Sequence, residues 1–91
     1  INNARFFQVG LDDSNLSNAG LSGSSFFETS FKGASLRRAN FSSTKLIDVN
    51  FSDADLEEIN FENALFCRVR MPDGTVRSEH CEQIKDIESG E

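Results

Sequence analysis

An all-β solenoid is predicted by three features of these 91 residues. Every fifth position from Phe6 to Met71 is Phe, Leu or Met: Phe6, Leu11, Leu16, Leu21, Phe26, Phe31, Leu36, Phe41, Leu46, Phe51, Leu56, Phe61, Phe66 and Met71. Two positions before each of these centres stands a small or β-branched residue, such as Ala19, Ser24, Thr29, Ala34 or Val49. The period then stops at Met71-Pro72-Asp73-Gly74-Thr75, where Pro, Asp and Gly supply turn chemistry.

A period of five suits neither regular element. Steps of five on an α-helix scatter the centres around the axis, so no apolar face forms. On a flat strand an odd step sends successive centres to opposite sides. All the centres share one core only if the chain turns inward once per repeat. Each repeat then lays one large and one small side chain inside.

Ala54-Asp55-Leu56-Glu57-Glu58 and Ala39-Asn40-Phe41-Ser42-Ser43 are near-ideal copies of Ala-(Asp/Asn)-Leu-X-X. The sequence thereby resembles the pentapeptide-repeat proteins over about residues 4–73. That resemblance implies a right-handed quadrilateral β-helix with four repeats per coil, here about three and a half coils. Residues 1–73 are expected to form the β-helix, and residues 74–91 a C-terminal turn and capping helix.

In such a tube, residues four repeats apart stack. The expected columns are Phe6, Phe26, Leu46 and Phe66; Leu11, Phe31, Phe51 and Met71; Leu16, Leu36 and Leu56; and Leu21, Phe41 and Phe61. Outward positions sort by the same rule. Arg37 and Arg38 fall one rung from Glu57 and Glu58, a solvated charge ladder. Asn40 and Asn60 stack, which predicts a structural Asn ladder. On the first face the residues after the centres are Phe7, Phe27, Ile47 and Cys67. Phe7, Phe27 and Ile47, with Leu65 beside Cys67, make a candidate interaction stripe, because an exposed apolar stripe usually marks a contact surface. The alternative is that the chain's own tail covers it.

The tail reads as a short helix over 79–89, with Ser78 as N-cap, Glu79 and Glu82 in the first turn, and Gly90 beyond the end. A solenoid end exposes core and needs such a cap. Cys67 and Cys81 are the only cysteines. Either they pair and tie the tail to the last coil, or they are two unpaired thiols. The segment from Cys67 to Cys81 also resembles the ending of many cyanobacterial and chloroplast members of the family. This implies a disulfide and an oxidising compartment, the thylakoid lumen or alternatively the periplasm. Cys67, His80 and Cys81 do not have structural zinc spacing, so no metal site is expected.

Composition narrows the function classes. Residues 4–73 carry seven basic against ten acidic groups, and residues 74–91 two against five. Without a basic stripe, direct nucleic-acid binding is not expected. No apolar run reaches the ~20 residues of a membrane span, and no signal or transit segment is visible. The chain begins at Ile1 and reads as a mature form or an excerpt. No nucleophile–base pair, phosphate loop or carboxylate pair is apparent, so neither an enzyme nor a cofactor is expected. The expected function is a non-catalytic protein–protein interaction or scaffold module, monomeric or dimerised end to end. The alternative is an acidic DNA mimic that binds a type II topoisomerase, as some family members do; the modest charge and the interruption by Arg37 and Arg38 weigh against it.

Overall fold

The computed structural model describes residues 3–82. Four short strands, β1 (Arg5–Phe7), β2 (Ser25–Phe27), β3 (Lys45–Ile47) and β4 (Leu65–Cys67), make one parallel sheet in sequence order. Their register is Phe6 to Phe26 to Leu46 to Phe66, so each strand pairs with the one four repeats later. Three further faces are stitched by single-residue parallel bridges. They link Gly10, Ser30, Asn50 and Arg70; Asn15, Ser35 and Asp55; and Gly20, Asn40 and Asn60. One face per repeat and four faces per turn of the chain make the quadrilateral coil that the family resemblance implied.

The corner chemistry explains the period. The second residue after each centre from Phe6 to Phe66 has positive φ, as does Asn3 (61°), and twelve of these residues, through Arg68 (55°), are not glycine. Asn and Asp make up half of these twelve, which fits the residues that tolerate left-handed backbone best. At most corners the chain closes a turn back to the centre, as when the Ala34 N–H donates to the Phe31 carbonyl at 3.0 Å. Gly23 fits beneath Asn3, whose side-chain oxygen would collide with any Cβ placed there.

The position before the centre has its own task. Asn40 Oδ1 accepts the Ser42 N–H at 3.0 Å, and Asn60 Oδ1 accepts the Glu62 N–H at 2.9 Å. Asn15, Asn50 and Asp55 do the same two residues on. These are local turn caps. Asn40 and Asn60 stand one above the other on the fourth face through a backbone bridge, and the Oδ1 of each serves its own turn.

Inside, Phe26, Phe31, Phe41, Phe51, Leu36 and Leu46 are fully buried. Phe31 and Phe51 stack at 5.3 Å, and Phe26 meets Phe31 edge-on at 5.5 Å, both favourable aromatic arrangements. The small inward positions hold Ala34, Ala39, Val49 and Val69, together with Thr29 and Thr44. Thr44 Oγ1 donates to the Phe41 carbonyl at 2.8 Å, so its burial leaves no orphan hydroxyl. Residues of the two end coils, such as Phe6, Leu11, Leu56 and Phe61, are only partly buried.

After β4 the chain forms β5 (Val69–Arg70), turns at 71–75, and returns antiparallel as β6 (Val76–Arg77). Asp73 Oδ1 accepts the Thr75 hydroxyl (2.7 Å) and N–H (3.0 Å), which holds its carboxyl below the usual range. Most of the expected capping helix over 79–89 lies outside the described residues: Glu79 and His80 lie in a turn, Cys81 and Glu82 have helical backbone, and 83–89, with Gly90, are not described. Ser78 gives its hydroxyl oxygen to the Arg68 N–H and not to a helix N-terminus.

Candidate functional site

Among the described residues, the first face is built by the only coil segments that keep three residues in strand pairing. Period-two alternation then points the middle residue inward and the third outward. That rule puts Phe6, Phe26, Leu46 and Phe66 in the core. It also puts Phe7, Phe27, Ile47 and Cys67 in one outer column. Phe7 is 67 % exposed, Phe27 and Ile47 are partly buried, and Cys67 is buried at 4 %. The Phe7 and Phe27 rings meet at 5.7 Å with a 31° tilt, and the Arg5 guanidinium lies 6.0 Å from the Phe27 ring centre. These contacts pre-order the stripe. Leu65 lies in the neighbouring column with Arg5, Ser25 and Lys45, not in the stripe's own, and is partly buried.

On the other flank Gln8, Glu28, Asp48 and Arg68 follow one another up the corner. Gln8 Nε2 donates to Glu28 Oε1 at 2.7 Å. Arg68 grips Asp48 with two nitrogens, Nε to Oδ1 at 2.5 Å and Nη2 to Oδ2 at 3.0 Å. These hydrogen bonds hold the Asp48 carboxyl below its ordinary range, against the opposing effect of burial. The pair stands four repeats apart, so the stacking rule that yields the Arg37–Glu57 ladder (3.0 Å) would also have found it.

At the C-terminal end of the face the tail replaces the next coil. The His80 N–H donates to the Phe66 carbonyl at 3.0 Å, and His80 Nδ1 accepts the Phe66 N–H at 3.1 Å. Ser78 Oγ accepts the Arg68 N–H at 3.1 Å, so this hydroxyl closes the edge of the sheet and does not cap a helix. The Arg77 guanidinium sits 3.9 Å from the Phe66 ring centre and is held there by Glu79 at 2.7 Å. Cys67 and Cys81 are joined by a disulfide. Every one of these tail contacts is with the last coil, so the described tail covers Cys67 and leaves Phe7 open. The role of His80 as an edge partner had no signal in the five-residue period, because it lies beyond the last repeat.

Among the described residues, no group of three His, Cys, Asp or Glu is placed to hold a metal ion, and no helix is long and apolar enough to cross a membrane.

Pentapeptide repeats match the chain in eight copies, over residues 4–42 and 44–73. Among curated proteins, none matches the sequence. Two solved structures are similar at 21 % identity and a TM-score of 0.36. One is HetL, a pentapeptide repeat protein involved in heterocyst differentiation regulation from the cyanobacterium Nostoc sp. strain PCC 7120; the match covers 85 % of this chain and 51 % of that one. The other is the pentapeptide repeat protein Rfr23 from the cyanobacterium Cyanothece 51142, with 70 % and 57 % covered. The chain thus spans about half the length of these structures.

Proposed function

The chain belongs to the pentapeptide repeat family, and from that premise we propose that it is a non-catalytic module that holds a protein partner against its first face. The observation that carries this reading is Phe7: a ring 67 % exposed, stacked on Phe27, at the head of a pre-ordered apolar column. A side chain that is already fixed loses little entropy on binding, so such a surface binds efficiently for its size. Phe7, Phe27 and Ile47 provide the apolar contact, and Arg5 and Lys45 on the adjoining column give it a cationic border. We propose an oxidising compartment, the thylakoid lumen or the periplasm, as its location. The support is the Cys67–Cys81 bond, of a kind rare in mesophilic cytosol.

Phe7→Glu and Phe27→Glu test the reading. Both should abolish capture of the partner, and Phe7→Glu should leave the melting temperature within about 2 °C, since an exposed side chain contributes little to the core. Undiminished capture by both variants removes the stripe from consideration. The DNA-mimic reading has less support, because the basic residues oppose the acids rung by rung: Arg37 meets Glu57, Arg38 meets Glu58 and Arg68 meets Asp48. Protection of gyrase supercoiling would revive it.

A further inference from the structure

We propose that the Cys67–Cys81 bond is a site of thiol–disulfide exchange, whose partner is a dithiol protein of the thioredoxin type and whose opening releases residues 78–82 from the last coil. This inference does not depend on the stripe.

The two sulfurs are not equivalent. Cys67 is the third residue of β4 and is buried, at 4 % exposure, whereas Cys81 lies on the tail and is partly exposed. An incoming thiolate therefore reaches Cys81, and the sulfur that must leave is that of Cys67. Arg68 stands where that departure needs help. Its Nε and Nη2 are committed to Asp48, which turns the remaining Nη1 to 3.4 Å from Cys67 Sγ. A guanidinium fixed beside a departing thiolate stabilises its charge and speeds exchange. Asp48 is thus a positioning residue for Arg68. Arg77 and Glu79, on the same tail, are paired with each other.

The exchange balances without any further reagent. One thiolate of the dithiol attacks Cys81 Sγ, the Cys67–Cys81 bond breaks, and Cys67 leaves as a thiolate. The second thiol of the dithiol then attacks the mixed disulfide, and Cys81 leaves. The reductant ends as a disulfide, and its two protons end on Cys67 and Cys81. With the covalent tie gone, the β5–β6 ladder and the Arg77 guanidinium on the Phe66 ring still hold residues 76–77, while Ser78 and His80 hold the last coil through three hydrogen bonds, to the Phe66 N–H, the Phe66 carbonyl and the Arg68 N–H. Those groups form the outer edge of β4. Its release presents an unpaired strand edge at the end of the first face. The coils before it keep their own bonds between rungs, so the opening is local.

The test begins with the native oxidised chain and a thioredoxin-type protein that carries Ser in place of its second cysteine, which traps the mixed disulfide. Peptide mass mapping should find the adduct on Cys81. An adduct on Cys67, or none under conditions where small dithiols reduce the bond, overturns the proposal. Arg68→Gln should slow reduction by roughly three- to tenfold, in line with a poorer leaving group; an unchanged rate removes the role of Arg68. Hydrogen exchange after reduction should rise at the Phe66 and Arg68 amides and stay unchanged at Phe26, Phe27 and Leu46. Loss of protection throughout the solenoid would show a structural staple and no latch.

Discussion

The first and third faces are made from the same repeat, yet they present opposite surfaces. Both bury a large side chain, Phe26 on one and Leu36 on the other, at zero exposure. On the first face the next residue outward is Phe7, Phe27 or Ile47; on the third it is Ser17, Arg37 or Glu57. The first face keeps three residues per rung in strand pairing, whereas the third keeps one. The interior therefore fixes the coil, and the positions it does not need are free to differ. The contrast teaches that function in this fold is read from the outward residues after each centre.

The strongest test of a common interior is a pair of core truncations. Phe26→Ala and Leu36→Ala should each lose about 2–5 kcal/mol, by lost burial and a residual cavity. Urea unfolding measures this. A loss confined to one face would break the comparison, since the faces would then not share a core.

The closure of the first face comes next. Cys67→Ser with Cys81→Ser should cost about 3 kcal/mol, the loop-closure value for a crosslink of this span. The third face has no equivalent tie among the described residues, so this loss should appear as earlier opening of β4 in hydrogen exchange, with Leu36 protection kept. Uniform loss would mean that the end coil and the middle coils unfold as one.

Charge separates the faces less. Asp48→Asn removes an exposed, bidentate partner of Arg68 and should cost less than about 1 kcal/mol. Its pH signature has a definite sign. The folded carboxyl titrates below its unfolded value of about 3.9, so the contribution is full above that pH and fades as pH falls through the lower folded value. In native protein minus Asp48→Asn, the stability difference should shrink on acidification. A difference that grew instead would contradict the pairing. The smallest effect is expected at the third face. Arg37→Ala, which breaks contacts at 3.0 and 3.4 Å between exposed groups, should change stability by about 0.5 kcal/mol or less.

Much of this architecture was legible in the sequence because the period is set by burial. Phe31, Leu36 and Phe41 recur at five because each must face one axis, and stacking every fourth repeat places Arg37 by Glu57 and Phe7 by Phe27 before any coordinates. What escaped was chemistry that the spacing of the large residues does not encode. The carboxamides of Asn40 and Asn60 cap their own turns, which the stacking of the two residues does not reveal. Ser78 and Glu79 read as a helix start, since Ser followed by acids is the usual signal. The open edge of β4 claims that serine instead, together with His80 and Arg77, because strand N–H and carbonyl groups left at a solenoid end need partners. The β5–β6 hairpin was likewise hidden: the turn at Pro72–Gly74 was readable, but the pairing of Val69 with Arg77 depends on where the last coil stops.

The central claim is that the first face, and not the third, is the contact surface. Photo-crosslinkers placed singly at 7, 27 and 47 and at 17, 37 and 57 test it most directly, in the native cellular compartment. A single partner joined from the first set and not from the second is the predicted result. Adducts from 17, 37 and 57 with none from 7, 27 and 47 would contradict it.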